Sequence, residues 1–281
     1  MIKEINLVLD GPNGRPLVVD YFLPEQGKEM PILIFCHGYK GFKDWGPWNV
    51  MSESLANSGI AVIKFNFSFN GGTVSQPIDF PDLEAFGNNN YSKEVEDLVA
   101  ILNFVFLDSR FDIVNRDHIC VMGHSRGGGI AALAAAEDER IKLLITLAGV
   151  SDFEARFNMG SEEFKAWERS GVMYIMNGRT KQEMPHYFQF YQDYEKNADK
   201  LNIESAVRSM EKPHLIIHGD ADEAVNVKEA YNMASWNPEA QLHIIKDANH
   251  VFGTSHPWTE ENLSKHMENA IEHIIEYIKN N

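Results

Sequence analysis

The chain has 281 residues, of which 44% are hydrophobic, and its formal net charge is −16 at neutral pH. This length allows one α/β domain with an inserted segment and a sizeable core, whereas the acidic charge without a Lys/Arg cluster excludes nucleic acid and anionic membrane surfaces as expected partners. No stretch approaches the ~18 apolar residues of a membrane span, and Met1–Asp10 lacks the apolar segment of a signal peptide. A cytoplasmic location is therefore expected.

The apolar runs predict a sheet that begins with a hairpin and continues with alternating strands and helices. Ile5–Leu9 and Leu17–Leu23 flank a turn-rich connection. The further predicted strands are Ile32–Cys36, Ile60–Phe65, His118–Met122, Leu143–Leu147, Leu215–His218 and Leu242–Lys246, and the main predicted helices are Ser92–Leu107, Gly128–Glu137, Lys228–Ser235 and Glu260–Ile278. The alternation predicts an α/β fold with a mostly parallel eight-stranded sheet, helices on both faces, and ligands beyond the carboxyl ends of the strands.

The connection between the fourth and fifth predicted strands contains a stretch rich in turn-forming residues. Residues 79–90 are predicted to form a surface excursion, and Asn88-Asn89-Asn90 precedes a helix that begins near Tyr91.

Residues 123–127 read Gly-His-Ser-Arg-Gly, with the apolar run His118–Met122 before them and the Ala-rich run Ile130–Ala136 after them. A strand, a sharp turn and a helix are predicted, which is the context of a G-x-S-x-G nucleophile elbow. The flanking glycines let the backbone take the strained turn that holds the serine hydroxyl at the strand tip. Ser125 is therefore the candidate nucleophile. The amide of Arg126, which follows it at a helix N-terminus, is a candidate donor to an oxyanion.

The segment from residue 151 to about residue 208 interrupts the alternation between the sixth and seventh strands. It lacks strand-like periodicity and is predicted to form a helical cap inserted in a single domain. Aromatic side chains in this segment either pack the cap onto the body or line an apolar or aromatic acyl pocket, and the sequence leaves both roles open. They are Phe153, Phe157, Phe164, Trp167, Tyr174, Tyr187, Phe188, Phe190, Tyr191 and Tyr194.

The last two predicted strands end in loops that carry an acid and a base. The seventh strand runs into a turn with Asp220 and Asp222, and the eighth is followed by His250. A serine hydroxyl is a poor nucleophile until a base accepts its proton, and the base needs a carboxylate to fix its tautomer. Spacing alone does not choose between the two aspartates. His256 is a weaker rival to His250 because it lies further from the strand end.

Four motifs, at residues 37–46, 123–128, 218–222 and 248–252, resemble the α/β-hydrolase superfamily. Within it, the chain is similar to cytoplasmic cinnamoyl/feruloyl-type esterases, dienelactone hydrolases and prolyl-oligopeptidase-like catalytic domains, and the resemblance covers nearly the whole chain. The serine at position 125 separates it from haloalkane dehalogenases and epoxide hydrolases, which carry an aspartate there, and from dienelactone hydrolases proper, which carry a cysteine.

The resemblance implies roles for further residues. In these hydrolases the acid sits in a Gly-x-x-Asp-x-x-Val arrangement, which implies that Asp222 is the acid and leaves Asp220 as a turn former. The His-Gly loop after the third strand implies an oxyanion hole whose second backbone N–H donor, beside Arg126, is that of Tyr39. His37 is expected to hydrogen-bond this loop.

The expected function is a serine hydrolase that cleaves small to medium carboxylic esters with an apolar or aromatic acyl group through an acyl-enzyme. An aminopeptidase or a thioesterase of the same fold is the enzymatic alternative, and a ligand-binding module on a hydrolase fold is the non-enzymatic one. Neither a cofactor nor a metal is predicted, since His214 and His218 are four apart on a strand rather than on a helix. Cys36 and Cys120 are predicted to be buried core residues. The expected partner is a small-molecule ester, and the oligomeric state stays open, a homodimer included.

Overall fold

The computed structural model describes residues 1–25 and 27–281 and contains one large sheet and one small one. The strands of the large sheet are β1 (Ile2–Leu9), β2 (Leu17–Leu23), β3 (Met30–Cys36), β4 (Ala61–Asn66), β5 (Val114–His124), β6 (Ile141–Leu147), β9 (His214–Gly219) and β10 (Ala240–Ile245). Their order is β1-β2-β4-β3-β5-β6-β9-β10. β1 and β2 pair in antiparallel fashion at one edge, as β2 does with β4, and all other pairs are parallel. The predicted mostly parallel eight-stranded sheet is confirmed.

Helices cover both faces of this sheet. They are α1 (Trp48–Asn57), α2 (Leu83–Gly87), α3 (Tyr91–Leu107), α4 (Arg126–Glu137), α5 (Glu162–Ser170), α6 (Gln189–Lys196), α7 (Ile203–Ser209), α8 (Lys228–Trp236) and α9 (Lys265–Asn280). Alternate residues of β3 face opposite sides, so that Ile34 packs in the core formed with α3, α4 and α7 and Phe35 packs in the core formed with α1 and α9. The helices on both faces are therefore as predicted.

Capping side chains fix where two of the helices begin. Asn90 accepts a hydrogen bond from the Lys93 backbone N–H at 3.0 Å, so α3 begins at Tyr91 as predicted. Ser264 accepts one from Met267, and α9 accordingly begins at Lys265 rather than at residue 260.

Both cysteines lie in the core. Cys36 and Cys120 are buried free thiols, as predicted.

A cluster of buried ion pairs connects the loop after β3 to the sheet. Lys43, in the loop after β3, lies 2.8 Å from the carboxylate of Asp20 on β2 and 2.6 Å from that of Asp44. Lys64 on β4 contacts both carboxylates as well. Buried charges persist only when paired, so this cluster ties the loop after β3 to the sheet.

The segment between β6 and β9 differs from its prediction because it is not purely helical. It contains α5, α6 and α7, but also β7 (Val172–Met176) and β8 (Glu183–Tyr187), which pair in antiparallel fashion. Apolar residues fill consecutive positions of β7, so the alternation that marks a half-buried strand is missing from the sequence. The left-handed Gly171, at φ 74°, ends α5 directly before the hairpin.

The predicted surface excursion at residues 79–90 is wrong in part. Phe80 and Phe86 are only 1% and 6% exposed, and Phe86 lies in the short helix α2. The fully buried Met184 of β8 packs against both rings. The inserted segment thus covers a stretch whose turn-forming composition suggested exposure. Within the described part of the chain, no helix is long and apolar enough to cross a membrane.

Candidate active site

Ser125 stands at a strained turn between β5 and α4, where its φ is 57°. Two glycines make the turn feasible, since a Cβ on Gly123 would lie 2.0 Å from the Gly127 carbonyl oxygen and one on Gly127 would lie 2.4 Å from that of Cys36. The Ser125 carbonyl accepts the backbone N–H of Gly128 and of Val150, each at 3.0 Å. The predicted strand, sharp turn and helix are all present, and the hydroxyl is presented at the carboxyl end of β5.

The loops after β9 and β10 bring His250 and Asp222 together. His250 Nδ1 lies 2.8 Å from Asp222 Oδ2. Asp220 points elsewhere, because its carboxylate accepts the backbone N–H of Asp247 at 2.6 Å. His256 takes the Gly46 backbone N–H on its Nδ1 at 2.8 Å and so braces the loop after β3. Of the two aspartates and two histidines that the sequence left in competition, the structure pairs Asp222 with His250.

The Asp222 carboxylate is fully buried and surrounded by donors. Its Oδ1 accepts the backbone N–H of Ala224 and of Val225, each at 2.8 Å. Burial raises the pKa of Asp222, but hydrogen bonds from His218, His250 and the Val225 N–H outweigh it and hold that pKa well below its ordinary value. The carboxylate is therefore charged throughout the range in which His250 could act as a base.

The contact of His218 with Asp222 was not predicted from the sequence. His218 is fully buried on β9, its Nε2 lies 3.2 Å from Asp222 Oδ2, and the same nitrogen lies 2.9 Å from the Val225 carbonyl oxygen. β9 ends at Gly219, and the turn that follows brings the Asp222 carboxylate to the His218 ring. From the sequence, His218 was considered only together with His214, as a metal ligand, and no sequence signal indicated its contact with Asp222.

The loop after β3 approaches Ser125 closely. A Cβ on Gly38 would lie 2.9 Å from the Ser125 Cβ. His37 Nδ1 donates to the Gly38 carbonyl at 2.9 Å while its Nε2 accepts the Phe67 backbone N–H at 3.3 Å, so His37 hydrogen-bonds the loop as expected. Burial lowers the pKa of His37 to about 4, which keeps the ring neutral in this role. Among the described residues, the backbone N–H groups of Tyr39 and Arg126 have no acceptor.

A cavity of about 610 Å³ opens in front of Ser125 and His250. Its walls are largely apolar, and half of the ten aromatic residues of the inserted segment line it, namely Phe153, Phe157, Phe164, Trp167 and Phe190. Several of these rings also pack against the body, as when Phe153 stacks on Tyr91 with ring centroids 3.8 Å apart. The aromatic side chains therefore have both of the roles that the sequence left open, and some of them pack onto the body and line the cavity at once.

A second cavity, of about 180 Å³, is also bordered by Ser125 and His250. Its lining includes Trp45, Trp48 and Val251, which do not line the larger cavity. Two cavities thus border Ser125. Within residues 1–25 and 27–281, no group of three or more His, Cys, Asp or Glu side chains is arranged to hold a metal ion.

The inserted segment reaches the loop after β3 through one hydrogen bond. His186 on β8 has its Nε2 2.8 Å from the Tyr39 hydroxyl, and its Nδ1 lies 3.2 Å from the Met184 carbonyl oxygen. Burial, with help from the Arg126 charge, lowers the pKa of His186 to about 4, so the neutral ring donates from Nδ1 and accepts the Tyr39 O–H at Nε2. No sequence signal pairs two residues 147 positions apart.

Known proteins resemble this chain in both sequence and fold. It is 25% identical over 262 residues to 2-hydroxymuconate semialdehyde hydrolase of Pseudomonas sp. (strain CF600), covering 85% of this chain and 84% of that protein. It is 23% identical over 174 residues, 60% of its length, to an uncharacterised 31.7 kDa protein of Escherichia coli, and spans only about half (54%) of that relative. The structure of Est1E from Butyrivibrio proteoclasticus with bound ferulic acid superposes with a TM-score of 0.76 at 22% identity, covering 98% of each chain.

These neighbours share the α/β-hydrolase fold that the sequence motifs suggested. The model of the prolyl oligopeptidase family matches residues 52–274, which include Ser125, Asp222 and His250. The chain therefore belongs to the prolyl oligopeptidase family and has the α/β-hydrolase fold.

Proposed function

We propose that this protein hydrolyses carboxylic esters through an acyl-enzyme formed on Ser125. One observation carries the proposal: Ser125 stands on a positive-φ elbow and borders the same cavity as His250, whose Nδ1 lies 2.8 Å from a buried, charged Asp222. This is the arrangement that activates a serine hydroxyl, because the carboxylate fixes the imidazole tautomer and leaves Nε2 free to accept a proton.

In the acylation step the Ser125 hydroxyl oxygen bonds to the ester carbonyl carbon while His250 Nε2 takes its proton. The carbonyl oxygen becomes an oxyanion that the N–H groups of Tyr39 and Arg126 receive, and each such donor is worth about 2.7–4 kcal/mol of barrier. The carbon–oxygen bond to the alcohol then breaks, and the imidazolium returns the proton to the leaving oxygen. Water repeats the sequence on the acyl-enzyme, releases the acid and restores Ser125.

The cavity sizes suggest how an ester would lie. The acyl group would occupy the larger cavity, whose aromatic walls suit an apolar or aromatic chain, and a small alcohol would leave through the smaller one. An ester is favoured over an amide because an alkoxide leaves more readily than an amine. Est1E, which has the same fold, binds ferulic acid, and this guides the choice of an aromatic probe.

The test is hydrolysis of p-nitrophenyl esters from acetate to decanoate, with methyl ferulate alongside. We expect turnover that depends on acyl length and an optimum at small to medium chains. Labelling by a fluorophosphonate is measured in parallel. If the protein is labelled but cleaves none of these esters, the serine is activated and the ester assignment is refuted. If it is neither labelled nor active, a ligand-binding module is favoured.

A peptidase is the second candidate, and the family match favours it. Aminoacyl p-nitroanilides, including prolyl ones, test it directly, and acyl thioesters test the remaining alternative. A higher kcat/KM on an anilide than on the ester of the same acyl group would replace the esterase proposal.

A further inference from the structure

The side chain of Arg126 has a role that its backbone does not explain. The guanidinium borders the larger cavity beside Ser125, and its side chain is 14% exposed. Its ion pair with the buried Glu94 is a single contact of 3.3 Å from Nη1 to Glu94 Oε1. A guanidinium has five N–H donors, so four of them lack an acceptor among the described residues.

Three aromatic rings, rather than polar groups, surround this guanidinium. Its central carbon lies 4.4 Å from the centroid of the Tyr39 ring, 5.4 Å from that of Tyr91 and 5.3 Å from that of Phe190. The rings hold the cation in place and keep its planar face covered, which leaves the edge with the N–H donors as the part available to a ligand. A nearly buried charge with unused donors calls for a polar partner.

A second cation borders the same cavity. Lys40 lines both cavities, its Nζ lies 5.0 Å from the Tyr39 ring centroid, and no carboxylate of the described residues lies within ion-pair distance of it. Burial, and then the Arg126 charge, lower the pKa of Lys40, which is consistent with two cations sharing one space.

The remaining charged groups of the cavity do not cancel these two. Arg156 also lines it and is paired with Glu229, whereas Glu163 is the acidic side chain on its wall and is exposed. The carboxylates of Glu94 and Asp222 are buried and contact Arg126 and His250, respectively, and neither residue lines the cavity. The charged side chains that line the cavity next to Ser125 are thus the cations of Arg126 and Lys40, in a protein whose net charge is −16.

We propose that Arg126 and Lys40 form an anion subsite in the larger cavity, so that the preferred substrates are esters whose acyl group carries an ionised carboxylate on an apolar or aromatic frame. This rests on the proposed esterase function and names its substrate class. The planar guanidinium edge matches a carboxylate in two parallel hydrogen bonds, and Lys40 supplies a second point of attraction. Since Arg126 directly follows Ser125 in the chain, the carboxylate lies within a short, rigid spacing of the scissile carbonyl.

The kinetic test uses p-nitrophenyl esters of meta- and para-carboxybenzoic acid, each compared with its neutral carbamoyl isostere. We expect the wild-type protein to prefer at least one carboxylate ester by about tenfold or more in kcat/KM, the size expected of a charge-assisted hydrogen-bonded pair. Arg126→Gln should remove most of that preference, and Lys40→Gln part of it. Lys165→Gln is the matched control, because it removes one positive charge from an exposed side chain of α5 that does not line the cavity.

The readout is the ratio between the charged and neutral esters, so a general loss of activity in Arg126→Gln does not mimic the effect. The overall negative charge of the protein would by itself disfavour the anion, and a wild-type ratio of one or less overturns the proposal. A ratio above one that Arg126→Gln and Lys40→Gln both preserve overturns it too.

Binding separates this proposal from the esterase assignment. If no ester is cleaved, calorimetric titration with isophthalate against isophthalamide still tests the subsite. Tighter binding of isophthalate that weakens in Arg126→Gln, or in Lys40→Gln if the former does not fold, supports the subsite while the esterase function fails. Equal binding of the two compounds refutes the subsite whatever the protein hydrolyses.

Discussion

The strand ends and the inserted segment form opposite walls of one cavity, and they are held by different forces. On the strand side, backbone geometry leaves no freedom: Ser125 sits at a φ of 57° and the glycines beside it have no room for a Cβ. On the other side, the wall consists of rings packed on rings, such as Phe157 against Phe190 at 5.6 Å between centroids. The proposed reacting groups therefore have fixed positions, whereas the pocket shape depends on aromatic side chains that can change without moving those groups.

The largest effect should follow from removing the proposed nucleophile, Ser125, on the strand side of the cavity. Ser125→Ala is expected to lower kcat by a factor on the order of 10⁶, as loss of a catalytic serine does in serine hydrolases. The fold should persist because alanine has the same backbone restriction at this φ as serine. Ser161→Ala, which removes another hydroxyl from the cavity wall on the inserted side, is the matched control and should keep fluorophosphonate labelling. Retained hydrolysis by purified Ser125→Ala would remove Ser125 from the nucleophile role.

Asp222→Asn tests the contact between Asp222 and His250 on the strand side of the cavity. The amide would donate to His250 or leave its tautomer unfixed, and we expect kcat to fall by about 10⁴ while KM changes little. Asp220→Asn offers the control in the same turn, because Asp220 contacts the Asp247 backbone rather than the imidazole. Equal losses in the two variants would show that the turn as a whole, not the Asp222–His250 contact, carries the effect.

The difference between the two walls also explains what the sequence could predict. The elbow at Ser125 was predictable because its strain requires glycine at fixed neighbouring positions. The central strands were predictable because both of their faces are buried, so that each is a short apolar run. The choice of Asp222 over Asp220 needed the family resemblance, since both lie on one turn. The same resemblance predicted its pairing with His250, and in the structure His250 Nδ1 lies 2.8 Å from Asp222 Oδ2.

The inserted segment was harder to predict for a physical reason. The strand β7 is apolar at consecutive positions, so no periodicity distinguished it from helix. The contact of His186 with Tyr39 joins residues 147 positions apart, and the burial of Phe80 depends on Met184 from another element. Such contacts arise from packing between distant segments, and local patterns do not encode them.

Acid is expected to break the hydrogen bond between His186 and Tyr39, which joins the inserted segment to the loop after β3. Burial lowers the pKa of His186 to about 4 from an ordinary 6.5, so the folded protein binds fewer protons than the unfolded chain between these values. The stability that neutral His186 contributes is present above pH 6.5 and is lost as the pH falls through about 4, a loss of about 3 kcal/mol when complete. His186→Gln keeps an acceptor for the Tyr39 hydroxyl and does not titrate.

Urea unfolding of the two proteins at several pH values measures this difference. The free energy of unfolding of the wild type should fall relative to that of His186→Gln between pH 6.5 and 4, and other titrating groups cancel in the comparison. Parallel pH profiles for the two proteins would show that the contact between the inserted segment and the loop after β3 does not depend on a neutral His186.

The smallest effect on activity is expected from changes in the part of the cavity wall that the inserted segment forms. Met173 and Tyr174 are neighbours on β7, but Met173 lines the cavity while Tyr174 is 60% exposed. Removing apolar contacts from a substrate pocket costs about 1–3 kcal/mol of discrimination, so Met173→Ala should lower kcat/KM by about tenfold for the longest acyl ester that is cleaved and leave acetate nearly unchanged. Tyr174→Ala should change neither, because its side chain faces solvent. A uniform loss across all acyl lengths in Met173→Ala would mean that the inserted segment positions the reacting groups as well as the acyl chain, and the division between a rigid catalytic wall and an adaptable substrate wall would fail.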